Sequence, residues 1–312
     1  MVAHRWPGRF CATISMIIPF EQEAGDAIFT PLEADGTFAP DVAIYLKEMG
    51  RSRPSVVLAF APKAAGTFLR TAAIDATGGQ LVRTVQAQGG RDAQFYLPTF
   101  LMYYAGCFPT RPLVTHVHMQ ALPANRHFIE ALDLKPVIMV RSIPDMLVSY
   151  LEMVEDDPAA PENWLNIQIP HAYAGFGDEA KADFIIDMLG PWYASYFATW
   201  LEWARADGRV LVLDYDEFRA DPLRNLECLL LHSRFPIPRA QCRAVLDALW
   251  QERHDFRFRQ GISGRGQARF TPAQIERLRR MLAYYPQLEP WMERLIRPPS
   301  AASQAAHSSA VA

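Results

Sequence analysis

Cysteine is scarce in this chain. Cys11, Cys107, Cys228 and Cys242 lie far apart with no paired CxxC spacing, so neither a zinc site nor a disulfide framework is indicated, and a reducing cytoplasm is the expected compartment. Charge of one sign is lacking as well: 31 Lys and Arg face 34 Asp and Glu, a net charge of -3. That excludes the broad basic surface of a general nucleic-acid binder and confines any cationic site to a local cluster. Long apolar runs are missing too. The stretch from Phe10 to Phe20 is bracketed by Arg9 and Glu21 and falls well short of the ~18–20 residues that span a bilayer. A secretory leader would need a longer apolar region and a small-residue cleavage site, so no transmembrane or signal segment is expected.

Apolar material in general is plentiful. It makes up 50% of the 312 residues, enough to bury the core of one large domain or two small ones. The chain is organised around residues 55–70, SVVLAFAPKAAGTFLR. This apolar run breaks at Pro62-Lys63 and resumes at Gly66-Thr67 with helical spacing, the pattern of a buried strand, a tight loop and the first turn of a helix. Such a loop aims backbone N–H groups and the positive end of a helix at one spot, a site for a phosphate or sulfate group to which Lys63 adds a full charge. The same residues also read as an ordinary strand-to-helix connection with a surface lysine. In the loop of an ATPase or kinase the order is Gly-Lys-Ser/Thr. Here the lysine precedes the glycine and Thr67-Phe68 follows it, so a group other than a nucleoside triphosphate is expected.

Residues 1–54 carry weak signals, a strand near Thr13–Ile18 and a short amphipathic helix over Val42–Met49, and are expected to cover one edge of the core. A helix over Thr67–Ala76 should stop at Gly78-Gly79. Residues 80–110 show no clear period, although Tyr103-Tyr104 are weak candidates for a substrate pocket. In Leu113–Met119 the alternation places Thr115 and Val117 on one face and His116 and His118 on the other. Pro136–Arg141 has the character of a buried parallel strand with Arg141 at its carboxyl end. Proline and an acid at Pro144-Asp145 open the next helix. Residues 155–178 form a proline- and glycine-rich excursion of the length that often serves as a lid or an acceptor-binding segment. An aromatic helix over Trp192–Arg205 precedes a core strand at Arg209–Asp214, which ends in Tyr215-Asp216-Glu217. Helices over Leu223–Leu231 and Ala240–Trp250 lead to a basic, glycine-punctuated loop, Arg259–Arg265, before a helix that starts near Thr271. The alternation predicts a three-layer α/β/α domain with a mainly parallel central sheet over residues 55–297, and ligands in such sheets bind beyond the carboxyl ends of the strands. Residues 298–312, rich in Ala and Ser, read as a disordered tail.

Four segments in order resemble the sulfotransferases that use 3′-phosphoadenosine 5′-phosphosulfate (PAPS). Pro62-Lys63-Ala64-Ala65-Gly66-Thr67 has the form of that family's first signature, one residue longer than in its cytosolic members and closer to the Golgi-type glycan enzymes. Arg141, Asp145 and Ser149 keep the spacing of the second. Tyr215 with its acidic neighbours is similar to the family's Tyr-Glu-Asp segment, and Arg259-Gln260-Gly261 through Phe270-Thr271 tracks its Arg-Lys-Gly loop, with Gln260 in place of the usual lysine. The resemblance implies a P-loop-like sulfotransferase fold. It also implies Pro62, Ala64–Thr67 and Phe68 around the nucleotide, with Arg141, Ser149, Arg259, Gln260 and Gly261 at its 3′-phosphate and Tyr215 beside it. A guanidinium and an adjacent hydroxyl are suited to a phosphate on physical grounds as well.

The implied reaction is transfer of the sulfuryl group from PAPS to a hydroxyl of a glycan, lipid or small molecule, leaving 3′,5′-bisphosphate adenosine (PAP), with no metal. Lys63 would stabilise the leaving 5′-phosphate. His116 or His118 would take the acceptor proton, since histidine titrates near neutrality, and His116, preceded by Thr115, is the expected base. A nucleotide kinase of related fold and a non-catalytic PAP- or PAPS-binding protein are the alternatives. No nucleic-acid partner is expected, and homodimerisation is left open.

Overall fold

The computed structural model describes residues 40–82, 84, 95, 99–100, 103, 111–156, 167, 169–251 and 263–296. The expected strand at Thr13–Ile18, Tyr104, the loop residues Arg259, Gln260 and Gly261, and the tail from Pro298 lie outside the described residues.

Among the described residues, five parallel strands form one sheet. They are β1 (Ser55–Leu58), β2 (Gln80–Leu81), β3 (Leu113–His116), β4 (Pro136–Val140) and β5 (Leu211–Asp214), and their spatial order is β2-β3-β1-β4-β5. Every residue of β1 and β4 is buried. Successive side chains point to opposite faces, so both faces of the central sheet are covered, as an uninterrupted Val/Ile/Leu/Met run requires. Among the described residues β5 pairs with β4 alone, and it buries fully only Leu213, so it is the edge strand of the described sheet. From β1 the chain crosses to the edge strand β2, returns to β3 beside β1, and then passes to β4 and β5 on the other side. The strand order therefore reverses beside β1, the place where open α/β sheets hold their ligands.

Helix α1 (Pro40–Ser52) packs on α3 (Pro123–Ala131), so closely that a methyl on Gly50 would lie 1.7 Å from the Leu132 carbonyl oxygen. Helix α2 (Gly66–Thr77) stops at Gly78, whose φ of 63° suits a residue without a Cβ. Helix α4 (Ile143–Asp156) follows β4.

The expected helix 192–205 is longer than its aromatic pattern. As α5 it runs from Asp178 to Ala206 and carries Pro191 in its interior. An interior proline costs about 3 kcal/mol in an isolated helix. Here Trp192, Tyr193, Tyr196, Phe197 and Trp200 are all buried just beyond it, and burial of aromatics at roughly 25 cal/mol per Å² outweighs that cost. Helices α6 (Tyr215–Ala220), α7 (Pro222–His232), α8 (Arg239–Gln251), α9 (Arg265–Arg269), α10 (Pro272–Ala283) and α11 (Met292–Ile296) follow among the described residues, α10 with a capping box between Thr271 and Gln274. The excursion expected over 155–178 is partly regular: α4 reaches Asp156, a 3-10 turn spans His171–Gly175, and residues 157–166 and 168 lie outside the described residues. Tyr103 belongs to the core. Its hydroxyl accepts the Leu113 N–H at 2.9 Å and donates to the Arg111 carbonyl at 3.1 Å, which ties down the start of β3. Among the described residues no helix is long and apolar enough to cross a membrane.

Candidate active site

The loop between β1 and α2 turns within a few residues because two of them adopt left-handed backbone. Lys63 has φ 65° and Ala65 φ 60°, a conformation that costs an L-residue about 1–2 kcal/mol. Contacts from elsewhere hold it there. The Pro62 carbonyl accepts the Tyr193 hydroxyl at 3.0 Å, the Ala59 carbonyl accepts the Tyr196 hydroxyl, and the Lys63 carbonyl accepts an N–H of Arg141. With these carbonyls drawn into the protein, the loop starts a helix whose first-turn N–H groups have no intrahelical partner, the arrangement that receives anions. The Lys63 ammonium reaches the Met153 sulfur at 3.5 Å. Pro62 and Ala64 are buried, Ala65 is half-buried and Thr67 is exposed, while Phe68 packs under the loop against Phe218 and Trp250.

His116 closes β3 and His118 follows it, because Val117 continues the ladder by donating to the Leu58 carbonyl at 2.9 Å. Both imidazoles therefore emerge on one side, their ring centres 4.9 Å apart and nearly perpendicular. A carbonyl can only accept, so His118 donates through Nδ1 to Phe60 at 2.8 Å, and its lone pair lies at Nε2. His116 packs against the anion loop: a methyl on Gly66 would fall 2.1 Å from its Nε2, an enclosed atom without a hydrogen-bond partner. Burial is the main cause that holds His116 well below the ordinary histidine range, followed by the neighbouring His118 and Arg70. His118 is lowered by burial too, against the opposing bond to Phe60 and with Lys63 adding to the depression. Near neutral pH both rings are therefore uncharged.

Arg141, at the end of β4, is the hub of the other half. Its guanidinium lies over the Tyr215 ring, 4.1 Å from the centre, while its Nε is enclosed without a partner. Tyr215 is itself buried at the head of α6, where Asp214 caps the helix by accepting the N–H groups of Asp216 and Glu217. Three residues four apart on α4, Asp145, Ser149 and Met153, share one face. Asp145 accepts the N–H groups of Gly264 and Gly266 at 2.8 and 2.7 Å, and Met153 meets Lys63. Ser149 is thereby placed between the glycine segment and the loop lysine. The approach is close: a methyl on Gly266 would lie 2.2 Å from the Pro144 side chain.

Sequence reasoning missed three residues here. Arg219 donates to the Ser263 hydroxyl at 3.2 Å, and that hydroxyl donates to Asp216 at 2.6 Å. Burial and the Arg141 charge both depress the Arg219 guanidinium and that of Arg265, so the three cations share one locality. Trp250 lies 5.4 Å, ring centre to ring centre, from Phe68 and remains partly exposed. Arg70, one turn into α2, is near enough to His116 to shift it. The only local signals were an arginine four residues after Tyr215, a tryptophan on the polar side of an amphipathic helix, and an arginine four residues after Gly66.

The family described as "Sulfotransferase domain" matches residues 108–232. Among solved structures, mouse sulfotransferase SULT7A1 complexed with PAP has the same fold, with TM-score 0.55, 14% identity and coverage of 90% of this chain and 99% of that one. A sulfotransferase from Alicyclobacillus acidocaldarius gives TM-score 0.42 at 13% identity, covering 80% of this chain and 98% of that one. A retinol dehydratase in complex with retinol and PAP gives TM-score 0.42 at 13% identity, covering 82% and 88%. No curated protein matches the sequence.

Proposed function

We propose that this chain, whose residues 108–232 match the sulfotransferase domain family, transfers a sulfuryl group from PAPS to a hydroxyl, releasing PAP. One observation carries the reading: Arg141 crosses from β4 to hold the Lys63 carbonyl while His116 abuts Gly66 of the same loop. A guanidinium, the loop between β1 and α2 and an imidazole thus meet on the carboxyl edge of the sheet.

In this reading the N–H groups from Ala65 to Thr67 cradle the 5′-phosphate. Lys63 neutralises the charge that grows there as the sulfur–oxygen bond breaks, a contribution made mostly in the transition state. Arg141 and Ser149 grip the 3′-phosphate through charge-assisted bonds, and Arg219 and Arg265 supply positive charge in a site where Gln260 offers none. The Tyr215 ring positions the Arg141 guanidinium. Phe68, with Trp250 beside it, offers a flat apolar surface to the adenine. Arg259, Gln260 and Gly261 are assigned to the same phosphate by resemblance. The His116–His118 pair takes the proton of the attacking hydroxyl, with His118 presenting the lone pair that its bond to Phe60 fixes at Nε2. Sulfuryl carries less charge than phosphoryl, so a lysine and helix-end amides suffice for its placement in line.

Calorimetry with PAP and with ATP, combined with label transfer from radioactive PAPS to hydroxylated extracts, tests this. PAP should bind at least about 10-fold more tightly than ATP, the effect of one charge-assisted contact to the 3′-phosphate, and label should move. Preference for ATP with γ-phosphate transfer would indicate a kinase. PAP binding without any turnover of PAPS would indicate a non-catalytic binding protein.

A further inference from the structure

Most of the half-buried arginines in this structure have an acid. Arg209 and Arg234 converge on Asp133, Arg265 pairs with Glu152, and Arg277 pairs with Asp183. Arg70 differs. Its Nε is enclosed by protein and bonded to nothing, and no carboxylate among the described residues pairs with it. Asp75, the acid on the next turn of α2, is raised by burial with no cation pulling it down. Enclosing part of a guanidinium without an anion is unfavourable unless a ligand supplies one.

The direction of the side chain follows from the helix. Arg70 stands four residues after Gly66 and so shares its face, and helical side chains lean toward the helix N-terminus. That face is the one against His116, since a methyl on Gly66 would strike the imidazole. Arg70 therefore extends back toward the His116–His118 pair, one turn along α2 from the amides proposed to receive the donor.

We propose that Arg70 binds a negatively charged group of the acceptor, so that the acceptors of this protein are hydroxyl compounds bearing a carboxylate, phosphate or sulfate ester near the hydroxyl. This rests on the sulfotransferase reading. A cation at this position draws an acid into the site and holds its hydroxyl near the histidines, while a neutral analogue leaves the guanidinium unpaired.

The test uses the PAP-bound, ¹⁵N-labelled full chain and two matched pairs of probes, 4-hydroxybenzoate with 4-hydroxybenzamide and glucuronate with glucose. The Arg70 Nε–H resonance is identified by its loss in Arg70→Gln. The anionic member of at least one pair should shift it saturably and bind about 10-fold or more tightly than its neutral partner. Arg70→Gln should abolish that difference and Arg70→Lys should keep part of it, with PAP affinity equal in all three proteins. Anionic probes that bind no better than neutral ones, or that leave the Nε–H unmoved, overturn the proposal. So does an Arg70→Gln protein that loses affinity for PAPS but not for PAP, because the guanidinium would then hold the donor's own sulfuryl group. Should the wild type fail to bind PAP, the sulfotransferase reading falls, and the same titration without PAP still decides whether Arg70 takes an anion.

Discussion

Gly66→Ala is the most incisive perturbation of the site. The backbone of Gly66 is ordinary helix, so alanine there would raise local helix propensity, by up to about 1 kcal/mol if nothing stood in its way. Something does: the new methyl would lie 2.1 Å from His116 Nε2 and 2.3 Å from Cε1. Carbon contacts are comfortable at about 3.5–4.0 Å, so the ring must retreat by roughly 1.5 Å. Behind it stand the edge-on rings of His118 and Phe60, with centres 4.9 and 6.1 Å away. Overpacking of this kind costs about 1–3 kcal/mol, and the net effect should be destabilising. Urea denaturation of Gly66→Ala, His116→Ala and the double variant measures it. In the double variant the methyl enters space vacated by the ring, so the two changes should couple by about 1 kcal/mol or more in the favourable direction. Strictly additive effects, or a Gly66→Ala protein as stable as wild type with unchanged turnover, would refute the packing of His116 on the loop.

Replacing Arg141 by alanine should weaken PAP binding by about 2–3 kcal/mol, roughly 30- to 150-fold, as loss of a charge-assisted phosphate contact does. Unchanged affinity in calorimetry would remove it from the 3′-phosphate site. Asp145→Ala strands two glycine N–H groups and should lower stability by about 3 kcal/mol, with an Arg265 segment newly open to protease. Resistance to proteolysis equal to wild type would show that the carboxylate does not hold it. Acidification should also destabilise the protein. His116, His118 and His232 all lie below the ordinary range, burial being the first cause in each. The unfolded chain thus binds more protons between those values and about 6.5, so their contribution is complete above pH ~6.5 and is lost as pH falls below it. Denaturation midpoints at pH about 7.5 and 5.5 should differ, and less so in His116→Gln/His118→Gln, where His232 remains. An identical pH slope in the two proteins would be the contrary result.

Much of this architecture was legible in the chain itself, where local chemistry decides it. Apolar runs ending at Pro62 and at Arg141 placed β1 and β4, and glycine at position 78 placed the end of α2. Pro191 misled, because a proline ordinarily marks a helix start or stop, whereas the buried aromatics beyond it carry α5 through. The spacing of Arg141, Asp145 and Ser149 could be read, but not that Asp145 spends its carboxylate on the distant Gly264 and Gly266. Tyr215 was legible as a candidate, while its position under Arg141 is a tertiary fact. Arg219 and Trp250 escaped for the same reason, since their partners Ser263 and Phe68 are remote in sequence.

The long helix α5 works as a ruler. Its Tyr193, Tyr196 and Trp200 donate to the carbonyls of Pro62, Ala59 and Met119. Two of these belong to the stretch between β1 and the anion loop, and the third to the segment just beyond His118. One helix therefore holds both the loop after β1 and the segment after β3. The loop that carries the lysine and the segment that carries the imidazoles are thus anchored to one element. For the proposed transfer, which depends on atoms standing in line, that shared anchor sets the distance between the two groups.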